Sequence, residues 1–319
     1  MRGGVKDRRA LTFLPESWGG DISQPRGDSP APPIEDNRAM RSDYLRNAAF
    51  AAICSIAAIV VAPEARAAQM EAVYDISLAG FSVGVADVKS RFDGRAYEID
   101  LQARLTGLAG LLMSGRGAAS ASGSVSGTRV VPRAFAVNSR SSRASRTVRM
   151  GLRSGAIAAV EIEPPLTQHP DTVPVLRQHK QGVVDPVSAF LMPATVRGEL
   201  TNPRNCERTI PVFDGASRFD IVLSYGGTRQ IDKPGYAGPV IVCNARFKAI
   251  AGHRPGRDAV RFMEENRDMS VWLAPFEANR SLLPMRIEVR TQLGLSVIEA
   301  SRVTIDGQPR RAASLDARD

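Results

Sequence analysis

From Tyr97 to Leu105 apolar and polar side chains alternate without a break: Tyr97, Ile99, Leu101, Ala103 and Leu105 are separated by Glu98, Asp100, Gln102 and Arg104. Met285, Ile287, Val289 and Thr291 alternate in the same way with Arg286, Glu288, Arg290 and Gln292, and Phe219, Ile221, Leu223 and Tyr225 give a third example. Successive side chains of an extended strand point to opposite faces. A period of two therefore predicts strands with one buried and one wet face, the habit of antiparallel sheets. Turn dipeptides punctuate the pattern at Asp93-Gly94, Ser154-Gly155, Gly226-Gly227 and Asp306-Gly307. Neither a β-α-β alternation nor a glycine-rich nucleotide fingerprint is present. The expected fold is all-β: a meander of about 12 strands forming a curved antiparallel sheet or partly open barrel with one or two short helices.

Three segments depart from the alternation. Asp185 to Met192 reads as a short helix, with Asp185 as N-cap, Pro186 at the first helical position and Pro193 ending it. Residues 165–184 hold Pro170, Pro174, His169, Gln178 and His179 without apolar periodicity, and read as a long connection between an N-terminal sheet and the C-terminal part. Leu105 to Met113 is apolar on all sides and flanked by glycine. It reads either as a buried helical turn or as a greasy lip at the mouth of a cavity. Leu105, Leu108, Leu111, Leu112 and Met113 are its candidate ligand contacts.

The N-terminal region has a different character. Two arginines in Met40–Arg46 precede an apolar run from Asn47 to Pro63, and Ala65-Arg66-Ala67 follows. Charged, apolar and small-residue regions in this order make a signal peptide over 40–68, and the competing reading is a retained membrane anchor. Residues 1–39 are rich in Arg, Asp, Pro and Gly and read as a disordered leader, or as an extension of the gene model ahead of a true start at Met40. The exported β domain is then 69–305, with a polar tail over 306–319, and the mature chain is not an integral membrane protein.

Removing residues 1–68 leaves roughly 250 residues, enough for one large β domain or two small ones. The whole chain has 42 Lys and Arg against 33 Asp and Glu; nine and eight of these precede residue 69, leaving 33 against 25, a net charge near +8. Such a balance favours anionic surfaces such as lipid headgroups, although a solvated arginine-rich surface also explains it. An exported protein does not meet nucleic acid. Of three cysteines, Cys206 and Cys243 remain after cleavage. An even count in an oxidising compartment predicts a disulfide.

Catalytic signatures are sparse. No G-x-S-x-G elbow occurs, and His169, His179 and His253 fit no metal-ligand spacing, so neither metal nor cofactor is expected. Asp214, in the turn Val212-Phe213-Asp214-Gly215, and His253, after Gly252, are the one pair that acid–base chemistry would use. Turn capping by Asp214 and loop bonding by His253 explain both residues without chemistry. Arg140, Arg143, Arg146, Arg149 and Arg153 fall in a predicted hairpin, where strand geometry points them to both faces; they read as a solvated hairpin edge, with phosphate binding as the alternative.

Several segments carry a resemblance: Tyr74–Gly84, Leu105–Leu108, Val184–Phe190, Ile210–Gly215 with Arg218–Asp220, Tyr236–Pro239 with Cys243, Trp272–Pro275 and Leu283–Ile287. In this order they resemble a bacterial family of exported proteins, the domain-of-unknown-function family 3108. The resemblance implies a β-rich periplasmic protein and no assigned reaction. The functional expectation is a non-enzymatic envelope protein that binds a lipid or another apolar ligand in the concavity of its sheet. An envelope assembly or interaction module is the alternative, and a hydrolase using Asp214 and His253 is the third reading.

Overall fold

The computed structural model of the protein describes residues 68–306, apart from 108, 109, 111–114, 143 and 168. The polypeptide first runs seven strands as an unbroken meander: β1 Ala68–Leu78, β2 Phe81–Asp93, β3 Ala96–Leu105, β4 Gly115–Ser126, β5 Arg129–Ser141, β6 Ser145–Arg153 and β7 Ala156–Glu163. A long connection follows, interrupted by the two-residue β8 at Met192–Pro193. A second meander then runs through β9 Arg208–Phe213, β10 Arg218–Lys233, β11 Tyr236–Ala251, β12 Met269–Phe276, β13 Ser281–Thr291 and β14 Gly294–Asp306. The α-helix α1 spans Asp258–Glu265. The two meanders join edge to edge where β1 pairs antiparallel with β14, giving the order β7-β6-β5-β4-β3-β2-β1-β14-β13-β12-β11-β10-β9, with β8 added to β13. The fold class is therefore all-β, one antiparallel sheet that does not close into a barrel.

The sheet's two ends, β7 and β9, are brought together by the connection between them. Gln181 bridges Ala156 at the start of β7, and Val184 bridges Val212 of β9. The Gly182 N–H donates to Gly155 O (2.7 Å), the Val184 N–H to Pro211 O (2.8 Å) and the Phe213 N–H to Val184 O (2.9 Å). These bonds occupy backbone groups that an open sheet would leave as bare edge. On the far side of the gap, Gly215, just past β9, lies so close to β6 and β7 that a Cβ there would meet Val148 Cγ1 at 2.6 Å.

Two hydrophobic clusters hold the arrangement. The first gathers Met70, Tyr74, Phe92, Tyr97, Phe135 and Met150 of the N-terminal strands with Val183, Val187 and Leu191 of the connection and Phe213, Val240, Phe276, Leu283 and Val303 of the C-terminal half. The second contains Met192, Leu200, Leu223, Ile241, Leu273 and Leu282. Neighbours such as Val240 and Ile241, or Leu273 and Ala274, are buried in different clusters, so the C-terminal strands are covered on both faces. The N-terminal strands bury one face only. The expected disulfide joins Cys206 to Cys243 inside the second cluster, with a Cα separation of 5.3 Å and both residues fully buried.

Details differ from the sequence pattern. Gly226-Gly227, expected as a turn, lies inside the 16-residue β10 as a bulge, the pairing jumping from Tyr225 to Gly227. A glycine in a strand interior serves such a bulge as readily as a turn. A second bulge, at Met285, puts Met285 in the first cluster while Ile287 and Val289 pack against the second. The helix expected at Asp185–Met192 is a single 3-10 turn over Ser188–Phe190. Asp185 does cap it: Oδ1 accepts from the N–H groups of Val187 (3.0 Å) and Ser188 (2.8 Å).

Candidate functional site

The first meander is blocked at one end and open at the other. At the end where β3 begins, the connection inserts Val183, Val187 and Leu191 against Tyr97 and Phe92. At the opposite end, where β3 finishes at Leu105, a cavity of about 610 Å³ remains. Its lining includes Ile76, Ala103, Leu105, Gly117, Ser139 and Arg146.

Register explains the space. Ala86 pairs with Ala103, Ala103 with Gly117, Gly117 with Ser139, and Ser139 with Arg146. Residues directly opposite one another across antiparallel strands share a face. The next row inward runs Val88, Leu101, Ala119, Val137 and Val148, four of which belong to or pack against the first cluster. The row from Ala86 to Arg146 therefore lies on the inner face. The inner positions of β4 from Gly115 to Gly123 are all small: Gly115, Gly117, Ala119, Ala121 and Gly123. Tiny side chains on this strand leave a hollow where a strand of valines would fill the interior. Leu105 takes part of it, since a Cβ on Gly115 would lie 2.7 Å from Leu105 Cδ1.

Arg146 is the one charged side chain of that inner row. It alternates with Val148 and Met150, both buried, and remains exposed where the cavity meets solvent. Among the described residues no carboxylate pairs with it. Three further arginines ring the outer face of the same end: Arg104 pairs with Arg116, and Arg116 with Arg140. Of these, among the described residues, only Arg104 has an acidic partner, Asp87 at 3.1 Å. Arg149, also on the outer face, is joined to Glu161 at 3.3 Å. The expected hairpin with arginines on both faces is thus β5–β6; Arg143 lies outside the described residues, and of the others Arg146 points inward.

Of the apolar contacts expected from sequence, Leu105 lines the cavity. Leu108, Leu111, Leu112 and Met113 lie outside the described residues. Arg146 stood in the sequence only as one of five hairpin arginines, although its parity with Val148, Met150 and Leu152 sets it apart from them.

The Asp214 and His253 turns are spatial neighbours: Ser217 Oγ donates to Gly252 O (3.4 Å), and Gly252 packs against the Ala216 backbone. Asp214 Oδ1 accepts from Ala216 N–H (2.8 Å) and Ser217 N–H (2.6 Å), the bonding of a carboxylate that closes its own turn. His253 Nδ1 is buried without a hydrogen-bond partner, and its carbonyl accepts from Val173 N–H (2.9 Å). Among the described residues no ion pair links the two.

A second polar group is buried at the blocked end. Asp185 is fully buried, and its Oδ2 has no partner. Burial pushes its carboxyl above the usual carboxylate range, and the bonds from Ser188 and Val187 offset this only in part. Neither the cavity at the Leu105 end nor the one over Ile99, Phe135 and Met150 is lined by it.

A family model described as "Protein of unknown function (DUF3108)" matches residues 73–301. No curated protein matches the chain. Among solved structures it is similar to the crystal structure of a beta-barrel-like protein of domain of unknown function DUF1849 from Brucella abortus, with 10% identity and a TM-score of 0.45 over 75% of this chain and 98% of that one. Among the described residues no helix is long and apolar enough to cross a membrane.

Proposed function

The chain belongs to the DUF3108 family, and we propose that it is an exported binding protein that holds an amphipathic ligand with an anionic head in the open end of its first meander. The observation that carries this is the inner row of β3–β6, where Ala103, Gly117 and Ser139 floor an apolar hollow and Arg146 stands at its mouth. A cavity of about 610 Å³ is within the range of small-ligand sites. An acyl chain would lie over Ala103, Leu105 and Ile76, while Arg146 would pair with a carboxylate or phosphate. Export is supported by the order of charged, apolar and small residues over 40–68 and by the buried disulfide, which persists in oxidising compartments.

Displacement of a fluorescent fatty acid tests the cavity. A Cβ on Gly117 would meet only Asn138 O, at 3.6 Å, so a larger residue enters there without backbone strain. Gly117→Leu should leave the protein folded and weaken fatty-acid binding at least about tenfold, the order expected when several methylenes lose their space. Arg146→Gln should weaken binding of anionic lipids more than of uncharged ones. Absence of bound lipid after purification, together with no displacement by fatty acids or lysophospholipids, would sink the reading.

A further inference from the structure

The cavity end of the sheet carries a second set of features around the cavity's rim. The β1–β2 and β13–β14 turns emerge there side by side: Ala79 N–H donates to Leu295 O at 2.9 Å, and a Cβ on Gly294 would lie 2.8 Å from Ala79 Cβ. Each turn presents a large apolar residue to solvent. Phe81 is 66% exposed and Leu293 78%, the two highest values among the large hydrophobic residues described. Ala79 adopts φ +50°, a left-handed conformation that costs a non-glycine residue energy. That strain is spent on a tight turn whose next side chain, Phe81, packs against little.

On the same end Arg104, Arg116 and Arg140 form a row of directly opposed residues across β3, β4 and β5. Like charges placed opposite one another across strands repel at spacings of about 5 Å. Only one of the three is neutralised by a carboxylate within the described residues. A row of opposed arginines in which Arg116 and Arg140 have no carboxylate partner among the described residues matches an extended anionic surface. Exposed apolar tips beside arginines are what an interfacial membrane contact requires, the tips entering the acyl boundary and the guanidinium groups meeting lipid phosphates.

We propose that this rim docks on the surface of a bilayer containing anionic lipids, with Phe81 and Leu293 inserted and Arg104, Arg116 and Arg140 against the headgroups. The cavity mouth then faces the membrane. Docking goes beyond the ligand reading and is separable from it, because Phe81 and Leu293 stand at the turns and do not line the cavity, whereas Arg104, Arg116 and Arg140 border both.

The test is quenching by brominated phospholipid of tryptophans placed one at a time in the full chain, at Phe81→Trp, Leu293→Trp and, as a control in the turn at the opposite end of β2 and β3, Arg95→Trp. With vesicles of phosphatidylcholine and phosphatidylglycerol, positions 81 and 293 should be quenched and position 95 should not. The pair Arg116→Glu and Arg140→Glu should weaken vesicle binding at least about tenfold, and phosphatidylcholine alone should bind weakly. Gly117→Leu should leave quenching unchanged, so loss of ligand binding and loss of docking are distinguished. Equal quenching at all three positions, quenching at none, or binding indifferent to the arginine reversals would each overturn the proposal, as would docking seen only with a protein partner.

Discussion

The hydroxyl of Tyr97 in β3 lies 2.7 Å from Ser188 Oγ in the connecting segment, a buried hydrogen bond between residues 91 positions apart. It ties the segment that spans the gap between β7 and β9 to the floor of the first meander. Both groups are fully or almost fully buried, so each would pay desolvation alone if its partner were removed. Tyr97→Phe and Ser188→Ala should each destabilise by about 1 kcal/mol, and the double variant should cost less than the sum, with a coupling of about 0.5–1.5 kcal/mol. Urea unfolding of the four proteins measures this. Additive effects would mean that the bond does not anchor the segment.

Asp185 gives the same region a pH signature. Its folded-state carboxyl is raised, so the native state holds a proton that the unfolded chain releases above about pH 4. The sign follows: the contribution to stability is fully present below the unfolded value and is lost as pH rises through the folded one. Asp185→Asn keeps an acceptor for the Val187 and Ser188 N–H groups and removes the charge. It should flatten the decline in stability on raising pH and be at least as stable as the parent at neutral pH. Asp185→Ala loses the cap as well and should be less stable by about 1–2 kcal/mol. Thermal melts across pH 4–8 distinguish the two.

The architecture was legible wherever one face of a strand is large and apolar, as in β3, because burial on one side leaves a period of two in the sequence. It was illegible in β4. There Gly115, Gly117, Ala119, Ala121 and Gly123 occupy the inner face, so the face that makes the cavity carries no hydrophobic signal. Helix α1 was hidden for a related reason: Asp258–Glu265 has no fully buried residue, and Met263 only half-packs against the second cluster. The join of β1 to β14 and the bridges of residues 181–184 depend on pairings more than 20 residues apart, which local pattern does not encode. Leu105, which lines the cavity, stands in a greasy stretch of sequence; the inward direction of Arg146 follows from its parity with Val148 and Met150, but its place opposite Ser139 does not.

Removal of the disulfide should be costly without disturbing the cavity. Cys206 and Cys243 close a loop of 37 residues in the second cluster, away from β2–β6. Cys206→Ser with Cys243→Ser should lower stability by about 4 kcal/mol on the chain-entropy model. Because both residues are fully buried, a thiol reagent should label the reduced protein rapidly only under denaturing conditions. Fatty-acid affinity, measured where the variant is folded, should be unchanged.

Gly235, in the β10–β11 turn, separates two costs that glycine substitutions usually confound. It has φ +93°, and a Cβ there would fall 1.5 Å from Val303 O, whose residue in turn donates its N–H to Pro234 O at 2.8 Å. The turn is therefore pressed onto β14, and an alanine must both adopt a left-handed backbone and push the two apart. Gly94, in the β2–β3 turn, has φ +56° but nothing within 4 Å of a built Cβ. Gly94→Ala should cost only the conformational penalty of about 1–2 kcal/mol, whereas Gly235→Ala should exceed it by about 2 kcal/mol or more, the steric excess of an overpacked contact. Hydrogen exchange at Val303 should report the difference locally, since displacing the turn breaks the bond from its amide to Pro234. Equal penalties at the two glycines would show that the β10–β11 turn stands free of β14, and the long hairpin would then be held by its strands alone.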